Sequence, residues 1–190
     1  AVRFETDVNA PALAEFEHER TALSRNITSL AYVTVGTGVG VGLVVNKQPV
    51  HGLMHPEGGH VAVQPLPNDS FEGYSWGIHS SPYGGKHTVE GITSSVALTE
   101  RLAQMQGKAQ ASELSRHVLS DLPDDHEVWD HASNALANLC VTLLLTTSME
   151  KIVLGGGIMR RNGLLEKIRS KTVQLLNGYL ELPDMSTLIT

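Results

Sequence analysis

Four glycines within seven positions, Gly36, Gly38, Gly40 and Gly42, interrupt the stretch AYVTVGTGVGVGLVV at residues 31–45. Strands seldom tolerate this, because glycine loses the most backbone entropy on folding and offers no side chain to pack. The flanking residues are β-branched, so the stretch reads as two short strands joined through glycines, with Asn46 and Lys47 turning the chain toward QPVHG. Something must approach this backbone closely. A second strand-then-glycine passage, KIVLGGGI, follows at residues 151–158. Amides freed at such turns can cradle phosphate or lie flat against a nucleotide. On pattern alone, a glycine-rich hairpin and an ordinary strand–helix turn explain the two passages equally well. Neither is the dinucleotide fingerprint or the lysine-bearing phosphate loop. Their occurrence in one chain shifts the balance toward a nucleotide.

The remaining pattern alternates strands with helices and predicts an α/β fold. A short strand opens VRFETDVN and turns at Thr6–Asp7 into a helix over about residues 9–20. Helices are expected over 89–105, 111–119, 121–150 and 162–178, the third with an acidic start. Residues 51–86, dense in Gly, Pro, Ser and His, form a stretch too long for an idle connection, which points to function or a metal brace. No internal repeat breaks this order.

Composition excludes several classes. With 41% hydrophobic and 18% charged residues among 190, a buried core is within reach and disorder is not expected. A net charge of −6 without any basic run argues against nucleic acid and anionic membrane as partners. The single cysteine, Cys140, rules out an internal disulfide and any multi-cysteine cage. It lies in ALANLCVTLLLTTSM, whose asparagines and threonines mark a buried core helix rather than a membrane span. No signal-peptide pattern opens these residues, so the expectation is a soluble, cytoplasmic protein.

The order ETDVNAPALAE, YVTVGTGVGVGLVVNKQPVHG, HPEGGHVAV, VEGITSS and IVLGGG resembles the ROK sugar kinases over nearly the whole chain. HPEGGH followed by NDSFEG points to their fructokinase branch. The resemblance implies the ribonuclease-H-like, actin-like ATPase fold, with a mixed β-sheet flanked by helices. It further implies ATP-dependent phosphorylation of a hexose, fructose before mannose or glucose, with Mg²⁺, in a homodimer. Gly36, Thr37 and Gly38 then correspond to a phosphate loop, and Gly155, Gly156 and Gly157 to an adenosine motif. Asp7 matches the catalytic aspartate, the general base that takes the sugar hydroxyl proton. Thr6 beside it, Glu57 and His60 of the E-x-G-H pattern, and Glu90 match sugar-binding positions. By position alone, the better readings are a helix cap for Asp7, a solvated loop acid for Glu57 and a helix-start acid for Glu90; the resemblance reverses them.

The same resemblance implies a zinc brace on the loop. Here Ser75 stands where a first cysteine is expected and the last cysteine is missing, which leaves His60, His79 and His87. Three imidazoles without thiolates predict a weak zinc site at most, filled to clearly less than one metal per chain. The expected architecture over 1–190 is the larger, C-terminal lobe of such a kinase, with the sugar and metal segment at 51–90. Both ends read as truncated, and the strand carrying the family's first phosphate motif has no counterpart. The alternative is a non-catalytic sugar-binding or regulatory member of the family; a DNA-binding version would need a helix-turn-helix, and none occurs in these residues.

Overall fold

A computed structural model describes residues 5–74 and 86–190. Its sheet is built on β1 (Leu30–Val35). β2 (Val39–Val45) returns antiparallel through the turn at Gly36–Gly38, and β3 (Gln48–Pro49) adds a short antiparallel edge. β4 (Lys151–Gly155) runs parallel to β1 on its other side, so the order is β3-β2-β1-β4. The chain end joins this edge: Thr190 N–H donates to Ile152 O at 2.9 Å and Leu154 N–H to Thr190 O at 2.6 Å. The helices are α1 (Asn9–Thr21), α2 (Val89–Thr93), α3 (Ser95–Met105), α4 (Val118–Asp121), α5 (Val128–Thr147), α6 (Leu164–Leu176) and α7 (Met185–Leu188).

Alternation along the strands sorts the two faces, because successive side chains point to opposite sides of a sheet. Ala31, Val33, Val35, Val41 and Leu43 join Ile152 and Leu154 in the large core that α5 and α6 cover. Leu30, Tyr32, Val44 and Val153 face the other way, onto Ala12 and Phe16 of α1. A buried ion pair fastens α1 to the sheet, with Glu19 and Lys151 3.3 Å apart and Lys151 Nζ donating to Thr187 O. Cys140 is buried in α5, and burial pushes its thiol up to about 12, so it stays protonated and structural. The α5 threonines bond back to carbonyls one turn earlier, as Thr142 Oγ1 does to Asn138 O at 3.0 Å. Among the described residues no helix is long and apolar enough to cross a membrane.

Three helix expectations need correction. The helix expected over 89–105 breaks at Ser94, which is extended (ψ 154°) and caps α3 by accepting from Ala97 N–H. The helix expected over 121–150 starts only at Val128 and stops at Thr147, where Ser148 turns left-handed. The one expected over 111–119 is a 3₁₀ turn at Ala111–Glu113 followed by α4. The terminal α7 carried no local signal strong enough to predict it. The short strand expected to open at Val2 lies largely outside the described residues.

Candidate active site

β2 is pressed from both sides, and close packing of Val8 on one of them accounts for both of its glycines. A Cβ on Gly42 would lie 2.0 Å from Val8 O, and one on Gly40 2.4 Å from Val8 Cγ1. The start of α1 therefore rests directly on the strand's backbone. Fully buried Asn9 secures it there, taking Leu43 N–H on Oδ1 and reaching Val50 O with Nδ2, both at 3.4 Å. The 3₁₀ turn Gly58–His60 presses on the same strand elsewhere, since a Cβ on Gly59 would lie 2.0 Å from Val39 O. One strand thus sets the position of the turn bearing Asp7 and of the loop bearing Glu57 and His60.

These side chains meet in a cleft of about 400 Å³ lined by Asp7, Gly36, Thr37, Gly38, His55, Glu57, His60 and Glu90. Residues far apart in sequence are brought together there. Asp7 is exposed to the cleft. Its neighbour makes a contact at the helix start: Thr6 Oγ1 accepts from Asn9 N–H at 3.0 Å. Glu57 lies between two imidazoles, 2.9 Å from His55 Nε2 and 3.5 Å from His60 Nε2. Glu90, in the first turn of α2, accepts the Val39 N–H on Oε2 at 2.8 Å. His55 is absent from the motifs that carry the family likeness; its spacing to Glu57 is the only signal the sequence offers for it.

The two glycine turns lie side by side. β1 and β4 are parallel with Thr34 opposite Gly155, so both turns leave the carboxyl ends of neighbouring strands, where ligands bind in open α/β sheets. Gly156 is left-handed (φ 98°) and its Cβ would meet Val35 O at 2.3 Å. By contrast, nothing lies within 4 Å of a Cβ at Gly36 or Gly157. Among the described residues, none fills the side of these two glycines where a Cβ would point, which leaves room there for a nucleotide. Gly157 also borders a second cavity of about 360 Å³, lined by Leu119, Asp124, Trp129, Ile158 and Arg161 among others. Arg161 stacks over the Trp129 ring at 4.6 Å while donating to Leu122 O and Asp124.

The zinc expectation divides. His79 and Ser75 lie outside the described residues. His60 belongs to the Glu57 cluster, and His87 sits at positive φ with Nδ1 buried and without a hydrogen-bond partner among the described residues. No group of three or more His, Cys, Asp or Glu side chains placed to hold a metal ion occurs among the described residues. The described residues offer only His60 and His87 of the expected set.

The sequence profile of the ROK family matches residues 1–190. The chain is 32% identical over 186 residues to a fructokinase of Streptococcus mutans, covering 98% of this chain and 56% of that protein. It is 34% identical over 191 residues to a fructokinase of Zymomonas mobilis, covering 99% and 56%. Among solved structures, a ROK hexokinase from Thermus thermophilus superposes with a TM-score of 0.69 at 25% identity, over 94% of this chain and 57% of that one. The chain spans about half the length of the curated relatives it matches.

Proposed function

Because this chain belongs to the ROK family, with the actin-like ATPase fold of its sugar kinases, we propose that it carries the catalytic aspartate, sugar site and nucleotide turns of an ATP-dependent hexose kinase acting on fructose. The observation that carries the reading is the single cleft shared by Asp7, Glu57, His60, Glu90 and the Gly36–Gly38 turn. Asp7 accepts the proton of a sugar hydroxyl as its oxygen bonds to the γ-phosphorus and the bond to the ADP oxygen breaks. Glu57, Glu90 and the His60 imidazole hydrogen-bond sugar hydroxyls, each carboxylate having two acceptor oxygens, and His55 holds Glu57 in place. A sugar lacking a matching hydroxyl leaves a polar group unpaired, which supplies specificity. The Asp7 carboxylate and Thr37 hydroxyl are hard oxygen donors at the same cleft that would hold Mg²⁺ arriving with ATP, which would supply neutralisation of phosphate charge. The fructokinases of S. mutans and Z. mobilis support fructose as the acceptor.

Kinetics of Asp7→Asn test this reading. The variant should lose at least about a hundredfold in kcat, as removal of a general base typically costs, while fructose binding measured by calorimetry persists. A variant keeping more than about a tenth of the rate would remove Asp7 from the role. Alanine at Glu57 or Glu90 should raise the fructose KM more than it lowers kcat, because those contacts exist in ground and transition states alike. Comparing kcat/KM for fructose, mannose and glucose settles the acceptor.

A further inference from the structure

A second cluster of charges lies away from the cleft, and the mechanism above does not use it. Asp69, in the segment between Val63 and Tyr74, receives Arg101 Nη1 on Oδ1 and Nη2 on Oδ2, both at 2.8 Å. The two side chains are only 5% and 4% exposed. His131 of α5 brings Nδ1 within 3.0 Å of Asp69 Oδ2, though without a well-aligned hydrogen bond. Phe71 donates its N–H to Asp69 Oδ1 at 3.0 Å, and its ring lies 4.5 Å under the Arg101 guanidinium. Asn134 of α5 donates to Gln64 O at 2.8 Å. The segment is therefore bolted to α3 and α5.

Buried ion pairs are weak sources of stability, because desolvation offsets most of the attraction; removing one partner is nonetheless costly. What the cluster does hold is geometry. Just past Asp69 the chain lies alongside the residues leading into α2: His87 N–H donates to Glu72 O at 2.7 Å and Tyr74 N–H to Gly91 O at 2.7 Å. On the other side, Val63 N–H donates to His87 O at 2.8 Å and Val89 N–H to Val61 O at 3.0 Å. Glu90 thus sits between two residues whose backbones are fixed by this ladder, and His60 directly precedes it. From there Glu90 reaches Val39 N–H, and Ser95 N–H reaches Gly36 O at 2.7 Å.

We propose that Asp69, Arg101 and His131 are positioning residues that hold the Glu90 and His60 segments at the geometry a sugar requires, and so set sugar affinity. This rests on the reading of Glu90 as a sugar ligand.

The buried Glu19–Lys151 pair, also 5% exposed on each side but remote from the loop, provides a matched control. Asp69→Asn and Arg101→Met should raise the fructose KM by roughly tenfold, the scale of a modest misplacement, with the ATP KM little changed. Arg101→Lys, which keeps the charge but loses the fork, should fall between wild type and Arg101→Met, and it covers the case in which the bolder variants fail to fold. Glu19→Gln should lower Tm without moving the fructose KM. Hydrogen exchange gives a sugar-independent readout: Asp69→Asn should speed exchange at the Val39, Tyr74 and Val89 amides, and Glu19→Gln should not. If Asp69→Asn and Arg101→Lys lower Tm with neither the KM shift nor faster exchange, the cluster is merely structural and the proposal is overturned. Faster exchange with an unchanged fructose KM, while Glu90→Gln raises it, overturns the proposal alone. An unchanged KM in Glu90→Gln removes the underlying reading and the proposal with it.

Discussion

The two glycine turns look alike in sequence and differ in what their glycines face. At the first, bareness is required mostly by the protein: Gly38 faces the Glu90 carboxylate, and Gly40 and Gly42 face Val8. At the second, Gly155 faces the Tyr32 hydroxyl and Gly156 the backbone of Val35. Each turn keeps one glycine, Gly36 or Gly157, where an added Cβ would meet no described residue within 4 Å. A glycine-rich signature therefore mixes two physical demands. Some glycines let the fold close on itself, and others leave backbone open to a ligand.

The largest effects should separate those demands. Gly42→Ala and Gly156→Ala drive a methyl group into a backbone carbonyl that cannot rotate away, the latter also from a positive φ. Each should cost about 3 kcal/mol or more, read as a large fall in the denaturation midpoint. Gly36→Ala and Gly157→Ala should instead stay within about 0.5 kcal/mol of wild type and raise the ATP KM by roughly tenfold. Equal destabilisation at Gly36 and Gly156 would erase the distinction. Gly38→Ala is the intermediate case, because its methyl would meet only the end of a side chain, Glu90 Oε2 at 2.7 Å. Its expected signature is a severalfold rise in the fructose KM, on the scale of a lost positioning contact, with modest loss of stability. A change confined to the ATP KM would show that Glu90 and the turn act independently.

The smallest effect sharpens the contrast through pH, since only the first turn is tied to the Asp69 loop. Burial opposes ionisation of Asp69, but hydrogen bonds from Arg101 and Phe71 hold its carboxyl below the ordinary 3.8. Burial and the Arg101 charge hold the His131 imidazole below 6.5, against the pull of Asp69. Both groups bind protons more readily unfolded, so each adds stability above its ordinary value and loses it as pH falls through its folded one. Mild acidification below 6.5 should therefore start to lower Tm through His131. The loss should deepen below 3.8 as Asp69 is protonated, and His131→Phe should flatten the first part. An unchanged Tm profile in His131→Phe would assign the acid loss elsewhere.

Much of the fold could be read from local pattern. The hairpin, α1, β4 and α6 are each written in period and punctuation over a few residues. The break at Ser94 could not be read that way, because VEGITSSVALTERLAQM carries no glycine or proline stop at that point. Ser94 caps α3 there with its own side chain, and the freed Ser95 N–H is taken up by the distant Gly36 O. The site was legible only through family likeness, since Asp7, Glu57 and Glu90 taken singly are ordinary surface acids. Thr6 has a task the likeness does not announce: its hydroxyl accepts the Asn9 N–H at the helix start. Asp69, Arg101 and His131 left no sequence signal, because a charge cluster spread over three elements has no spacing to recognise.

The parallel pairing of β1 with β4 has a consequence for how the molecule assembles. β1 finds β2 across one tight turn, so the hairpin forms from contacts close along the chain. It finds β4 only after everything from Val39 to Glu150 has been threaded and closed, an entropically expensive loop whose cost precedes its reward. The two glycine turns become neighbours only at that late step. A nascent or partly folded chain thus possesses the hairpin turn well before it possesses the paired turns. Nucleotide that spans both would act as a latch on the last contact to form, slowing its reopening more than it speeds its making.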